Sequence, residues 1–177
     1  MKLTIAACAF AALIAAAGAS PAEPAQPLRP VPVNLYSGRW YEIARTPNHM
    51  QADCRAATTD FSGWAAGAFS AVQTCHQGAP GGPRKTVSVH GRVLPGAQNA
   101  KIQLAMLGGL ISQQYWILDH AENNNWLIMC TANGRYVWLM ARQPVLDAAA
   151  RAAALGRLQA LGFDLSRLAF EPQPPRS

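Results

Sequence analysis

The chain consists mainly of short runs of aliphatic, aromatic and β-branched residues, separated at fairly regular intervals by turn-forming residues. Such runs are typical of β-strands bounded by tight turns. The predicted strands are residues 38–46, 55–62, 69–76, 85–93, 101–106, 113–119, 126–131 and 136–142. Asn133-Gly134, a strong hairpin signal, separates the last two. Because no helical pattern lies between the strands, the sequence predicts an all-β sandwich or up-and-down barrel.

One helix is predicted after the strands. Residues 147–161 are rich in Ala, Leu and Arg, contain no proline, and place apolar residues such as Ala154 and Leu158 at helical spacing. A short apolar strand at 168–170 and a tail at 172–177 follow. Residues 20–32, in contrast, are rich in proline, which cannot complete a sheet ladder. They predict a flexible or extended arm.

The first 19 residues have the composition of a cleaved secretory signal peptide. Lys2 supplies a positive charge, residues 3–17 are apolar, and residues 17–19 (Ala-Gly-Ala) form a small-residue cleavage site. The apolar run is shorter than the roughly 20 residues that span a membrane. Cys8 lies too early in that run to be a workable lipidation site. We therefore expect a periplasmic or secreted protein without a lipid anchor, with association with the outer membrane as a further option.

The charge of the chain narrows the choice of partners. The formal net charge is +6 at pH 7, but the Lys and Arg residues are scattered rather than gathered into a run. Nucleic-acid-binding proteins usually show a basic stripe or patch, so we expect no nucleic-acid partner and a solvated basic surface. Weak attraction to an anionic membrane surface is the alternative that this charge leaves open.

Three cysteines lie beyond the predicted signal peptide, which indicates one bridge and one free thiol in an oxidising compartment. Cys54 and Cys75 flank a predicted hairpin with its turn around residues 63–67, and cross-strand neighbours lie close enough for a disulfide. Closing this loop of about 20 residues stabilises by about 3 kcal/mol on the loop-entropy model. Cys130 lies in an apolar strand and is predicted to be a buried small hydrophobic residue.

Three motifs are more specific than the strand pattern. Residues 38–45 read Gly-Arg-Trp-Tyr-Glu-Ile-Ala-Arg, residues 115–119 read Tyr-Trp-Ile-Leu-Asp, and residues 136–142 read Tyr-Val-Trp-Leu-Met-Ala-Arg. They resemble the first, middle and last motifs of the lipocalins, above all the bacterial outer-membrane lipocalin group. The resemblance covers residues 33–171. It implies one domain, an eight-stranded antiparallel up-and-down β-barrel with one C-terminal α-helix and a short final strand.

The resemblance also implies structural roles in the first and last motifs. Gly38 opens the first strand, Trp40 lies across the closed end of the barrel, and Arg142 packs over the Trp40 indole. A cation–π contact of this kind is worth about 0.5–2 kcal/mol. The middle motif departs from the family pattern, because its usual acidic and aromatic residues are absent at 121 and 124. Asp119 or Glu122 is expected to compensate.

The pocket wall follows from the alternation of side chains along a strand, where every second residue faces the same side. If Arg142 faces inward, the residues at 140, 138 and 136 also face inward, and the same step from Trp40 turns Glu42 and residue 44 inward. The resemblance adds residues 61, 69 and 115. The predicted ligand-binding residues are Ala44, Phe61, Phe69, Tyr115, Tyr136, Trp138 and Met140. Alternatively, these large side chains fill the barrel and leave no cavity.

The resemblance and the apolar wall imply binding, storage or transport of a small hydrophobic ligand such as a fatty acid, phospholipid or lysophospholipid. The main alternative is a protein-binding or inhibitor module with a filled barrel and an exposed apolar patch. A lipocalin-type enzyme would use a pocket thiol, for example Cys130 with His120. The sequence shows no zinc-type cluster or phosphate-binding loop. We therefore expect no catalysis, cofactor or metal, and either a monomer or a homodimer.

Overall fold

The structure is a computed structural model that describes residues 24–173. The predicted signal peptide and the end of the predicted tail lie outside these residues. The strands are β1 (Gly38–Arg45), β2 (Cys54–Ala65), β3 (Ala68–Gln77), β4 (Arg84–Val93), β5 (Lys101–Met106), β6 (Ile111–His120), β7 (Trp126–Thr131), β8 (Val137–Ala141) and β9 (Ala169–Phe170), and the α-helix is α1 (Ala148–Ala160). Single-turn 3-10 helices lie at Val33–Tyr36, His49–Gln51, Leu107–Gly109 and Leu165–Arg167.

Strands β1 to β8 form a closed barrel. Each pairs antiparallel with the next in sequence, and β8 pairs back onto β1. The prediction of an eight-stranded up-and-down barrel with one helix and a short final strand is confirmed, and the predicted strands differ from the observed ones only near their ends. Strand β9 pairs with the end of β1, beyond the point where β2 leaves it.

The alternating strand directions divide the loops between two ends of the barrel. Residues 46–53, 78–83, 107–110 and 132–136 lie at the end where β1 finishes, which we call the open end. The 3-10 helix Val33–Tyr36 and the turns after β2, β4 and β6 lie at the opposite end, which we call the closed end. His49 and Met50, in the loop of residues 46–53, lie at the open end, and both are exposed.

Apolar residues form two layers on either side of the barrel wall. The inner layer lies inside the barrel, and at the closed end it includes Tyr36, Trp40 and Phe69. The outer layer lies between the wall and the inward face of α1, where Ala154 and Leu158 are fully buried. Helix α1 is capped by Asp147, whose carboxylate accepts a hydrogen bond from the Ala150 amide at 2.8 Å. Among residues 24–173, no helix has the length and apolar content needed to cross a bilayer.

A bulge in β1 overturns one predicted wall residue. The register of β1 against β8 shifts between Glu42 and Ala44, so Ala44 pairs with Leu139 of the outer layer and packs there. Arg45, which pairs with Trp138, takes the inward position instead. The prediction that Ala44 lines the pocket is therefore wrong. An extra residue in one strand reverses the alternation beyond it, and nothing in the alternation itself announces the bulge.

The proline-rich arm lies along the outside of the barrel over its described residues, 24–32, from Pro24 beside Gly134 of the β7–β8 turn to the closed end. The Leu28 amide donates to the Leu118 carbonyl at 2.8 Å, and the Val31 amide donates to the Gln98 carbonyl at 2.9 Å. The Val31 side chain is buried. The arm is thus extended along these residues without being a strand.

Asp119 holds two outer segments to the barrel. Its buried carboxylate lies 2.8 Å from Arg29 Nε of the arm and 2.6 Å from Arg157 Nε of α1. Asp119 and not Glu122, which is exposed, is therefore the acid of the middle motif that makes structural contacts.

The cysteines have the predicted arrangement. Cys54 and Cys75 form a disulfide that joins the start of β2 to the end of β3 at the open end, with 5.3 Å between the two Cα atoms. Cys130 is free and fully buried in the outer layer. Burial raises the pKa of its thiol to about 12.

Candidate functional site

The open half of the barrel encloses a cavity of about 340 Å³. Its lining residues come from all eight barrel strands, the loop of residues 46–53 and the β7–β8 turn. Eleven of the nineteen are aliphatic, aromatic or Met, and four of them are the methionines at 50, 106, 129 and 140. The lining residues are Glu42, Asn48, His49, Met50, Gln51, Thr59, Phe61, Ala71, Gln73, Val89, Leu104, Met106, Gln113, Tyr115, Met129, Thr131, Tyr136, Trp138 and Met140. The filled-barrel alternative therefore holds only for the closed half.

Strand β8 and Tyr136, which directly precedes it, contribute the predicted ladder of inward residues. Tyr136, Trp138 and Met140 all line the cavity, as alternation predicts. Val137, between the first two, is buried in the outer layer. Tyr115 on β6 also lines the cavity, and its ring lies 5.7 Å from that of Trp138.

The floor of the cavity separates two predicted wall residues. Phe61 lines the cavity, but Phe69 does not. Tyr36 enters the barrel from the 3-10 helix before β1 and stacks on Phe69 with 4.9 Å between ring centroids. Phe69 therefore faces inward beneath the floor, and its prediction as a ligand-contacting residue is wrong. Gly91 makes room for its ring, because a Cβ there would lie 2.2 Å from Phe69 Cε2.

A buried polar network forms one side of the cavity near its mouth. Glu42 accepts hydrogen bonds from Arg45 Nη1 at 2.5 Å and from Gln51 Nε2 at 2.8 Å. The same Arg45 nitrogen lies 2.7 Å from Glu171 Oε1, just after β9. The Trp138 indole donates to Gln51 Oε1 at 3.0 Å. Sequence reasoning placed Glu42 and Trp138 inward but missed Arg45, Gln51 and Glu171, because distant segments of the chain assemble the network.

Burial sets the electrostatics of this network. Desolvation raises the pKa of the Glu42 carboxyl, and the nearby Arg45 guanidinium opposes that shift. Arg45 also donates through Nη2 to the backbone carbonyls of Gln51 and Cys54. Its two Nη nitrogens are thus directed at protein groups, and its buried Nε has no hydrogen-bond partner among the described residues. Among the described residues that line the cavity, no Arg or Lys is present, and Glu42 is the sole carboxylate.

The closed end has the structural pair that the sequence motifs imply. The Arg142 guanidinium lies 3.9 Å from the Trp40 ring centroid. It donates to the backbone carbonyls of Ser37 at 2.6 Å and Asn34 at 3.0 Å. Gly38 has a φ of +66°, a left-handed conformation suited to glycine, and it begins β1 beneath this arginine. Neither Trp40 nor Arg142 lines the cavity.

The pair proposed for a thiol enzyme is not assembled. Cys130 packs in the outer layer, outside the barrel wall. The ring nitrogens of His120 lie 2.8 Å from the Ala121 carbonyl oxygen and 3.1 Å from the Pro30 carbonyl oxygen, at the closed end. The Cys130 thiol would therefore not reach a ligand in the cavity, and its raised pKa disfavours the reactive thiolate form.

A second, more open recess adjoins the cavity at the same end. It has a volume of about 690 Å³ and lies between the loop of residues 46–53, the β7–β8 turn and the segment around β9. Four residues line both spaces: Asn48, His49, Gln51 and Tyr136. We call this recess the rim cleft.

Comparison with known proteins identifies the family. Residues 31–173 match the family model of the lipocalin-like domain. No curated protein sequence matches the chain significantly. Insecticyanin from the tobacco hornworm Manduca sexta is a similar solved structure, with a TM-score of 0.66, 13% identity, and 82% of each chain covered.

Two other solved structures are also similar. Lobster apocrustacyanin A1 has a TM-score of 0.65 and 15% identity, over 80% of this chain and 79% of that one. The siderocalin Ex-FABP has a TM-score of 0.57 and 12% identity, over 80% of this chain and 96% of that one. These low identities indicate a shared fold. Because the family model covers most of the chain and the barrel is closed, the protein belongs to the lipocalin-like family.

Proposed function

We propose that the protein binds, stores or carries a small hydrophobic ligand in the barrel cavity. The observation that carries the proposal is a cavity of about 340 Å³ whose wall is mostly apolar and whose floor is Phe61. Ligand sites typically have a volume of roughly 300–1,000 Å³ and a few placed polar groups. The siderocalin Ex-FABP, of the same fold, functions through dual ligand specificities.

The size of the cavity favours a ligand with a single apolar chain. The volume lies near the lower limit of ligand sites, so a fatty acid or lysophospholipid fits this space better than a phospholipid with two chains. The four methionines support this proposal, because unbranched thioether side chains adapt to flexible ligands.

We also propose that the protein is processed and then secreted or retained in the periplasm, as a member of the bacterial outer-membrane group of lipocalins. It rests on the sequence motifs and the predicted signal peptide. N-terminal sequencing and intact mass of the exported protein test the location. We expect a chain that starts at Ser20 without lipid, and an acylated chain starting at Cys8 would contradict it.

We propose that the rim of the open end associates weakly with a membrane during ligand exchange. Leu107 and Leu110, in the loop between β5 and β6 at the open end, are 68% and 87% exposed. Basic residues such as Arg84 and Lys85 start β4 at the same end. In a flotation experiment, phosphatidylglycerol vesicles should carry the wild-type protein with them. The Leu110→Asp variant should remain unbound. Equal retention on phosphatidylcholine vesicles would argue against the charge contribution.

Two measurements test ligand binding itself. Native mass spectrometry of gently purified protein should show one bound apolar molecule for each chain. After delipidation, titration with a fluorescent single-chain fatty acid should saturate at one equivalent. A protein that carries nothing and shows no saturable binding would contradict the proposal.

A further inference from the structure

The charges of the two adjoining spaces at the open end are opposite. The cavity has Glu42 as the sole carboxylate and no Arg or Lys among its described lining residues. Among the residues that the structure describes, the rim cleft is lined by four arginines, at 45, 55, 135 and 167, and by one carboxylate, Glu171. An anion is therefore disfavoured inside the barrel and favoured immediately outside it.

Arg45 and Glu171 already form an ion pair with each other. The two side chains are almost fully buried and 2.7 Å apart. The other three arginines differ, because none of them lies within 4.0 Å of a carboxylate among residues 24–173. These three, Arg55, Arg135 and Arg167, supply the available positive charge of the cleft.

The three arginines come from separate parts of the chain. Arg55 lies in β2, Arg135 in the β7–β8 turn, and Arg167 in the last 3-10 helix. Arg55 Nη1 is held by the carbonyls of Ala52 and Cys54, the latter at 2.8 Å. Arg135 lies 5.2 Å from the ring centroid of Tyr136, which lines both the cleft and the cavity. The positive charge of the rim cleft therefore lies next to the residues that line both the cleft and the cavity.

Arginine is well suited to oxyanions. Its planar guanidinium presents paired donors that match a carboxylate or a phosphate. An apolar chain inside the barrel would leave its polar head at the mouth, beside Asn48, His49 and Gln51, which line both spaces. A head with negative charge would then lie against the cleft and away from Glu42.

We propose that the rim cleft is a headgroup site for an anionic amphiphile, with a phosphate or carboxylate near Arg55, Arg135 and Arg167 and the apolar chain in the barrel. The inference rests on the proposed function, since it assigns the head of the ligand whose chain occupies the cavity. It predicts that affinity depends on head charge at constant chain length.

Dodecyl phosphate, dodecanoate and dodecanol provide the comparison, because they share one chain and differ in the head. Each would displace a fluorescent probe from the full-length processed protein, below its micelle concentration and at low salt. We expect the two anions to bind about 10-fold more tightly than the alcohol, the scale of one hydrogen bond to a charged group. Added salt should reduce that advantage, because the cleft is open to solvent.

A triple variant tests the assignment to the cleft. The variant combines Arg55→Gln, Arg135→Gln and Arg167→Gln. It should lose most of the difference in affinity between the two anions and dodecanol. Its affinity for dodecanol should stay unchanged, which also verifies that the variant is folded. Arg92→Gln, at an exposed position near the closed end of β4, is the matched control and should change neither.

The other outcomes overturn distinct statements. If the anions and the alcohol bind wild-type protein equally, or if the triple variant weakens all three alike, the headgroup site is wrong and the apolar cavity stands. If inorganic phosphate alone binds as tightly as dodecyl phosphate, the cleft is a free-anion site and the headgroup assignment fails. If none of the three chains displaces the probe, the proposed function itself fails.

Discussion

The two ends of the barrel are built from the same strands but contain different interiors. At the closed end, Tyr36 fills the space between Trp64, Phe61 and Phe69, with ring centroids 4.9–6.1 Å away. At the open end, residues of similar size, Tyr115, Tyr136 and Trp138, lie along the wall and leave a cavity. Side-chain volume alone therefore does not decide which end is filled. The decisive difference is the 3-10 helix that inserts Tyr36 at one end.

The arginines of the two ends show the same contrast. Arg142 at the closed end stacks on Trp40 and donates to backbone carbonyls, so it joins the chain segments that cover the barrel. Arg45 at the open end is buried between Glu42 and Glu171. Removing one partner of a buried ion pair leaves an uncompensated charge. The closed end is thus fastened by packing, whereas the cavity mouth depends on a charge balance.

The largest expected effect is at the closed end. Trp40 is fully buried, and its indole nitrogen donates to the Leu35 carbonyl at 2.9 Å. Trp40→Ala should lower the free energy of unfolding by about 3–5 kcal/mol, because it leaves a large cavity in a packed layer. Urea denaturation measures the change. Met50→Ala, at the exposed rim, is the control and should change stability little; equal losses would remove the contrast between the two ends.

A smaller effect is expected on the cavity wall, this time in binding. Trp138→Ala should weaken fatty-acid binding by about 1–3 kcal/mol, or roughly 5- to 150-fold, because a large apolar contact is lost. Val137→Ala should affect stability more than binding, since Val137 packs in the outer layer. Fluorescent fatty-acid titration of both variants measures the difference. The reverse order of affinities would show that the assigned faces of β8 are exchanged.

Arg142→Ala should have a still smaller effect, of about 1–2 kcal/mol on stability, from lost stacking and packing. Affinity in the folded fraction should remain nearly unchanged, because Arg142 does not line the cavity. Thermal unfolding and titration on the same sample separate the two quantities. A large affinity loss at an unchanged melting temperature would give Arg142 a binding role and contradict the division into ends.

The smallest effect concerns pH and the mouth of the cavity. Burial raises the pKa of Glu42 in the folded state above its unfolded value of about 4.3. The folded protein therefore binds this proton more tightly, and the resulting stability is present below pH 4.3 and lost as pH rises through the folded pKa. Glu42→Gln cannot titrate. The stability of the variant relative to wild type should thus increase from pH 4 to pH 7.

Chemical denaturation of both proteins across that range measures this difference. If the stability of wild type relative to the variant instead increases as pH rises, the Arg45 guanidinium outweighs desolvation in its effect on the pKa of Glu42. Ala71→Gly or another neutral change in the wall should give a difference that is independent of pH.

Local patterns determined much of this protein. Hydrophobic runs and turn residues predicted eight strands, one helix and a short final strand, because strand and turn preferences act over a few residues. Alternation from Tyr136 through β8 placed Tyr136, Trp138 and Met140 on one face, because no bulge interrupts that strand. Hairpin geometry brought Cys54 and Cys75 together. The family motifs placed Arg142 over Trp40.

Only the tertiary structure decided the rest. A bulge turned Ala44 outward and Arg45 inward, and the insertion of Tyr36 covered Phe69. The rim cleft joins arginines from β2, a turn and the segment before β9, which are far apart in sequence. Such features depend on which distant segments meet when the barrel closes. The physical reason is that periodicity specifies the face of a strand, whereas burial and charge pairing depend on what packs against that face.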